Sequence, residues 1–280
     1  MKNFSGRVAV VTGGAEGIGR ALAEAAGARG MKVFLGDIDA TRLEAALLEL
    51  RAGGIDADGF HFDVSLPSAM EDFAASAYER FGAVHLVAAN AGVACAKPAW
   101  ETTPEDWHWV MGVNFFGVAN AIRAFVPRMM AAGEEGHVLA TASMAGLLSL
   151  PSMAAYNASK HGVVTLMEGL HHDLTLRGAK ISASVLCPSW VKTRIGMSER
   201  NRTAGEVTPI EKLDPVAAKL VGSVHRAVSE GLDPAEVAGI TFEAIEAGRF
   251  YILTHDHSRS GVKARLEDIL EDRVPTLVRL

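Results

Sequence analysis

Three side chains in the middle of the chain have the types and spacing for acid/base chemistry: Ser143, and then Tyr156 and Lys160 in the run Tyr156-Asn157-Ala158-Ser159-Lys160. A spacing of four puts Tyr156 and Lys160 on one face of a helix. There an ammonium favours the phenolate and brings a phenol down from its ordinary pKa of about 10 toward neutrality. A phenol so tuned serves as a general acid or base. Ser143 falls at the expected carboxyl end of a strand, where open α/β sheets bind ligands, so its hydroxyl is placed to hydrogen-bond a substrate oxygen. A Tyr-x-x-x-Lys pair alone is equally a pair of surface helix residues, and its meaning depends on the motifs around it.

The first of those motifs is Thr12-Gly13-Gly14-Ala15-Glu16-Gly17-Ile18-Gly19, where an apolar strand gives way to an Ala-rich helix. Glycines there let the backbone turn tightly and approach a pyrophosphate, while the free N–H groups of the helix start face the anion. Asp37 follows eighteen positions after Gly19, at the end of the next apolar run, where an acid can accept from the ribose of an adenosine. Such a carboxylate repels a 2′-phosphate, so Asp37, with Glu16 inside the glycine loop, points to NAD rather than NADP. Arg20 and Arg42 keep an NADPH-dependent ketone reductase open as the alternative.

Other candidates carry less. Cys187 stands at a strand end with no His or Asp partner in its motif and reads as a buried thiol. His255-Asp256-His257 lacks the further ligands of a metal site, and His161, His171 and His172 read as helix positions. Ser143 as a hydrolytic nucleophile fails because the Gly-x-Ser-x-Gly elbow is missing: Thr141 and Ala145 flank it.

These residues need a scaffold that brings strand ends together, and the hydropathy pattern supplies one. Short apolar runs at Val8–Thr12, Lys32–Asp37, Gly59–Asp63, His85–Ala89, His137–Ser143, Lys180–Leu186 and Phe250–Leu253 read as strands. They alternate with helical stretches at Gly17–Arg29, Ala40–Ala52, Ser68–Phe81, Pro104–Ala131, Ala154–Arg177 and Pro234–Gly248. Alternation of this kind predicts a doubly wound, mainly parallel α/β sheet with right-handed crossovers. Residues from about 190 to 234 break the pattern and read as a lid between the sixth and seventh strands. Residues 254 to 280 read as a C-terminal extension with a charged helix. There is no linker and no repeat, so residues 1 to 280 are expected to form one domain.

Taken in order, Thr12 to Gly19, Asn90-Ala91-Gly92, Asn114, Ser143 and Tyr156 with Lys160 resemble the classical short-chain dehydrogenase/reductase family over about the first 190 residues. The resemblance implies a Rossmann sheet and hydride transfer between a nicotinamide and an alcohol or carbonyl. It also implies roles: Tyr156 as general acid/base, Ser143 orienting the substrate oxygen, Lys160 lowering the tyrosine pKa and bonding the nicotinamide ribose, and Asn114 holding a water in the proton relay. Asp63 and Val64 match an adenine-contacting pair, and Asn90 with Gly92 the motif that steadies the sheet beside the cofactor. Val191 and Thr193 match positions that contact the nicotinamide carboxamide. The chain departs from the family at Pro188-Ser189, where Pro-Gly is usual. A catalytically silent NAD-binding scaffold is the reading from another class, and the intact Ser143, Tyr156 and Lys160 speak against it.

The substrate is to be sought among apolar groups. Leu147, Leu148, Leu150, Pro151 and Met153 near the catalytic residues, with Ala94, Cys95, Trp190 and Met197, suggest an apolar pocket. That pocket fits a hydrophobic or aromatic secondary alcohol, with Leu148, Met153 and Trp190 as its walls. Composition narrows the partners. The chain has 280 residues, a net charge of −6 and two cysteines far apart, which disfavours nucleic acid, a disulfide framework and a zinc module. The N-terminal apolar run stops at Thr12 and is too short for a signal peptide core or a membrane span, so a cytoplasmic enzyme is expected. By family likeness the helices around Pro104–Ala131 and Ala154–Arg177 pair between copies, giving a homodimer or homotetramer. Phe115, Phe116, Val118, Ile122, Val163, Leu166, Met167 and Leu170 are candidates for the shared face.

Overall fold

A computed structural model describes residues 1–202 and 215–277. Its strands are β1 (Val8–Thr12), β2 (Lys32–Asp37), β3 (Ala57–His61), β4 (Leu86–Ala89), β5 (Gly136–Thr141), β6 (Ile181–Cys187) and β7 (Tyr251–Leu253). They form one sheet in the order β3-β2-β1-β4-β5-β6-β7, with every pairing parallel. The order reverses between β1 and β4, and at such a switch point the loops diverge and leave a crevice at the strand ends.

The helices are α1 (Gly17–Ala28), α2 (Ala40–Ala52), α3 (Pro67–Phe81), α4 (Pro104–Met111), α5 (Gly117–Ala132), α6 (Ala154–Leu176), α7 (Pro215–Ser229), α8 (Pro234–Glu246) and α9 (Ser258–Leu270). They cover both faces of the sheet, so successive residues of each strand enter opposite cores. Val10, Val87 and Val138 pack with Phe73 of α3, Phe125 of α5 and Met167 of α6. Ala9, Val11, Leu35 and Leu139 pack with Leu22 of α1, Leu47 of α2 and Phe242 of α8. Phe73 stacks on Phe62 with ring centroids 4.5 Å apart and meets Phe125 edge-on at 5.9 Å; burying a ring of this size contributes about 1.5–3 kcal/mol.

Four details depart from the expected elements. The third strand lies two residues earlier, because Asp63 Oδ1 accepts from the Ser65 N–H at 2.8 Å and turns the chain; Asp63 and Val64 therefore sit in the loop. The fifth strand ends at Thr141, with Ser143 heading a short 3-10 turn, Met144–Gly146. The helix from Pro104 is interrupted by a π turn at Gly112–Phe116 before α5 continues. The expected lid contains α7, which the sequence reading left without an element. Residues 203–214 of that lid lie outside the described residues.

The stretch Pro104–Ala132 has the length and hydropathy of a membrane span, with 50% of that window buried. Val118, Ala121, Ala124 and Phe125 of it are buried against the sheet, which is the packing of a core helix. Among the residues expected to form a shared outer face, Val118, Val163 and Met167 are core, whereas Phe116 is 52% exposed.

Candidate active site

The carboxyl ends of the strands open into a cleft of about 740 Å³. At its cofactor end, the chain leaves β1 through Gly13, whose φ is +62°. Asn90, just beyond β4, donates its Nδ2 to the Thr12 and Gly13 carbonyls at 3.2 Å each, and the Thr141 hydroxyl donates to Asn90 Oδ1 at 3.0 Å. This one amide ties β1, β4 and β5 together. A Cβ on Gly19 would collide with the Gly13 carbonyl and with Asn90 Nδ2, so only glycine lets α1 start this close to the loop. Asp37 closes the other side: its carboxylate accepts from the Ala15 N–H and from the Asp39 N–H, both at 3.0 Å. Burial raises its pKa, and those two N–H bonds oppose the rise. Gly13, Gly17, Ile18, Asp37, Asp63, Val64, Asn90 and Gly92 all line the cleft. Thr193 packs on Gly17, and Val191 is held by a parallel bridge to Leu232. The cradle of small residues, the acid at the end of β2 and the walls from Val64 and Val191 fit a dinucleotide.

Glu16 behaves differently from expectation. It is ion-paired with Arg42 and Arg194, each at 3.3 Å, and with Arg200. Its charge is balanced locally, so the argument for cofactor preference falls on Asp37. Arg20 is drawn away to Glu24, Glu49 and the Ala46 carbonyl, while Arg42 lines the cleft but is held by Glu16 and Asp39.

At the chemical end the structure brings Ser143, Tyr156 and Lys160 together. The Ser143 hydroxyl hydrogen-bonds Tyr156 and accepts from the Ala145 N–H at 3.1 Å. Lys160 is buried, donates to the Thr141 carbonyl at 2.8 Å and lies 5.8 Å from the Tyr156 ring centroid. Burial holds the Tyr156 phenol above its ordinary value, and the hydrogen bond from Ser143 works against that. Burial also lowers the Lys160 ammonium to about 8. In this geometry Ser143 bonds the phenol directly, while the Lys160 ammonium donates to a backbone carbonyl beside it. Asn114, in the π turn, is fully buried; Oδ1 accepts from the Val93 N–H at 2.8 Å, and Nδ2 donates to the Val93 carbonyl and to Ser159 Oγ, both at 3.0 Å. Its side chain clamps the loop after β4 to α6.

A model of the family described as short chain dehydrogenase matches residues 7–204. The chain belongs to that family. It is 32% identical to the CLA biosynthesis dehydrogenase/reductase of Lactiplantibacillus plantarum over 277 residues, covering 98% of this chain and 97% of that protein. It is 33% identical to the C alpha-dehydrogenase of Sphingobium sp. (strain NBRC 103272 / SYK-6) over 278 residues, covering 98% of this chain and 89% of that one. Among solved structures, a short chain dehydrogenase/reductase from Burkholderia phymatum in complex with NAD superimposes with a TM-score of 0.95 at 43% identity, covering 100% of both chains.

In this short-chain dehydrogenase Ala94, Leu148, Leu150, Met153 and Trp190, candidates for an apolar pocket from the sequence, line the cleft. Four residues expected beside them lie elsewhere. Leu147 packs against the core, Pro151 is exposed at a turn, Cys95 belongs to a small cluster with Val93, Val110 and Ala155, and Met197 is 58% exposed. A loop's apolar residues can turn either way, and composition does not say which. Cys187 is buried beside the site, its thiol pushed up to about 12 by burial, so it stays protonated and unreactive. Among the described residues no group of His, Cys, Asp and Glu is arranged to hold a metal; the His255 and His257 rings meet each other at 5.3 Å.

The sequence reading missed a wall. Glu105, His108, Trp109 and Val113 face the cleft from α4 and the π turn, and Val224, Val228, His257, Ser258 and Ser260 line it from α7 and the start of α9. The spacing of 105, 108, 109 and 113 is a helical stripe and could have been found. Trp109 is backed by the Arg202 guanidinium, 5.1 Å from its ring. Arg202 in turn pairs at 2.7 Å with the fully buried Asp106, which also accepts from Lys97 at 2.7 Å.

Proposed function

We propose that this dehydrogenase transfers hydride between a hydrophobic or aromatic secondary alcohol, or its ketone, and NAD, with Tyr156 as the acid/base. One observation carries the reading: the Tyr156 phenol, hydrogen-bonded to the Ser143 hydroxyl, lines the same cleft as the glycine cradle and the apolar Leu148 and Met153. A bound nicotinamide supplies the acceptor for the hydride that leaves the carbinol carbon. Ser143 and Tyr156 hold the alcohol oxygen. As the C–H bond breaks, the hydroxyl proton passes to the tyrosine oxygen and the C=O bond forms; ketone reduction runs the same steps backward, with Tyr156 as acid. Lys160, fixed by the Thr141 carbonyl, lends positive charge that favours the phenolate. Asn114 is a positioning residue that locks the loop at Gly92 and Val93 to α6.

NAD is supported by the Asp37 carboxylate, which its two N–H bonds fix at the end of β2, and by the NAD bound in the relative from Burkholderia phymatum. Arg42 at the cleft favours the NADPH-dependent reductase as a second reading. A cytoplasmic homo-oligomer acting on small molecules, with no nucleic acid or membrane partner, completes the proposal. It is supported by two free, buried cysteines and by the exposed Phe116.

The test follows NADH at 340 nm with a panel of arylalkanols. Tyr156→Phe should lose roughly 100- to 10,000-fold in kcat while its affinity for NAD changes little, and kcat/KM with NAD should exceed that with NADP by at least about tenfold. Full turnover by the variant would sink the assignment of Tyr156, and a preference for NADP would hand the site to the second reading.

A further inference from the structure

Ser258 opens α9 on the wall of the cleft, is 3% exposed, and its hydroxyl has no hydrogen-bond partner among the described residues. A buried hydroxyl in that position carries a desolvation cost that nothing among the described residues offsets. The contrast with its neighbour is direct: Ser260, on the same wall, donates to the His257 carbonyl at 2.7 Å. The other buried side-chain atoms without a partner among the described residues are Tyr78 Oη, Arg128 Nη1 and His137 Nε2, and none of those residues lines the cleft.

Contacts on either side fix where Ser258 stands. Its own N–H donates to the His255 carbonyl at 3.1 Å. The His255 ring is hydrogen-bonded to the Trp190 backbone and, at 2.8 Å, to Thr254 Oγ1. One turn further along α9, a Cβ on Gly261 would lie only 3.0 Å from Leu148 Cδ1, so glycine lets the helix press against that wall. Trp190 and Leu148 are the apolar surfaces against which a substrate body would lie, and the hydroxyl is set between the elements that carry them.

We propose that Ser258 is a specificity-determining residue that hydrogen-bonds a neutral oxygen substituent on the substrate, remote from the reacting carbinol carbon. The inference rests on the reading of this cleft as the site of an alcohol dehydrogenase and narrows its substrates to arylalkanols bearing a ring hydroxyl or ether oxygen. A neutral oxygen fits better than a carboxylate. A desolvated anion needs a cation, and Arg42, Arg194 and Arg200 on the cleft wall are held by Glu16, while Lys160 is held by the Thr141 carbonyl.

The experiment compares 1-phenylethanol with its ring-hydroxylated and ring-methoxylated derivatives at each ring position, by kcat/KM with NAD. The corresponding ketones are titrated by quenching of tryptophan fluorescence, which needs no turnover. The wild-type chain should favour one oxygenated position by roughly ten- to a hundredfold in both measurements. In Ser258→Ala that ratio should fall to within about twofold of unity, and in Ser260→Ala, whose hydroxyl is already satisfied, it should persist. No preference at any position, a preference that survives Ser258→Ala, or an equal collapse in Ser260→Ala would each overturn the proposal. If no alcohol reduces NAD and yet the ketones show the Ser258-dependent ratio in binding, the dehydrogenase reading fails and the Ser258 contact stands.

Discussion

The two ends of the cleft are built from different materials. At the cofactor end, the strand-to-helix loop offers only backbone groups, which two side chains hold: the Gly13 and Thr12 carbonyls receive Asn90 Nδ2, and Asp37 receives the Ala15 and Asp39 N–H groups. At the substrate end, segments far apart in sequence are joined by side chains. Asp106 holds Lys97 and Arg202, Ala94 N–H donates to Ser198 Oγ, and Trp109 lies against Arg202. A loop bonded through its own backbone keeps its shape under substitution of a loop residue except where a new Cβ intrudes. Side-chain pairs fix a shape that changes whenever either partner does. One end is suited to a constant ligand and the other to a varying one.

Gly19→Ala is the sharpest way to break the first end. The new Cβ would meet the Gly13 carbonyl, a backbone atom that cannot swing aside, so the loop itself must move. We expect a loss of cofactor affinity equivalent to roughly 5 kcal/mol, the range reserved for frank steric conflict. Isothermal titration with NAD checks it, with circular dichroism confirming that the sheet persists. Retained affinity would mean that the loop is far softer than its hydrogen bonds imply.

Asp106→Asn applies the same question to the second end. Asp106 is fully buried; burial alone would raise its pKa, but hydrogen bonds from Lys97, the Thr103 N–H and Arg202 overcome this and bring it to about 2, from 3.8. Removing the charge leaves Lys97 and Arg202 facing an uncharged amide, at an expected cost of about 3 kcal/mol in stability, the lower end for a broken buried pair. The sign with pH follows from the depressed value. The Asp106 contribution is complete above pH 3.8 and is lost as pH falls through about 2. Urea melts from pH 7 to pH 2 should therefore show a gap between wild type and variant that closes over that window. A gap that stays constant would show that the pair does not stabilise the fold through charge.

The same contrast explains what could be read from the sequence. Gly13 to Gly19, Asp37, and Ser143 with Tyr156 and Lys160 act through local spacing, and each lies at the strand end or helix face that its pattern implies. The parallel order of the strands follows from their alternation with helices. Trp109, backed by Arg202, and Ser258 come to the cleft only because α4, the segment after β6 and α9 meet in space, and no period in the sequence joins them. Val216, Leu220, Val224 and Val228 do recur at a helical interval, so α7 was legible, though not the side of the cleft on which it lies. The π turn at Asn114 left no pattern, since it shifts the register of one helix by a single residue. The four-residue spacing puts Lys160 on the face of Tyr156 but does not give the acceptor of its ammonium, the Thr141 carbonyl.

Glu16 joins the two ends through charge, and it yields the smallest effect. It stands in the glycine loop but pairs with Arg194 and Arg200 of the segment after β6, as well as with Arg42 of α2. These side chains are partly exposed, so each pair is screened by salt and contributes between zero and about 1 kcal/mol. Their joint geometry still links the position of the cofactor loop to that of the Trp190 segment. In Glu16→Gln the KM for the alcohol should rise by roughly two- to fivefold at low salt, with fold stability nearly unchanged. Adding salt should raise the wild-type KM toward that of the variant and leave the variant almost unaffected. Steady-state kinetics from 20 to 500 mM salt (roughly a threefold to fivefold change in Debye length) would decide it. Parallel salt profiles for the two proteins would show that the cofactor and substrate ends act independently, with the ion pairs at Glu16 a surface feature only.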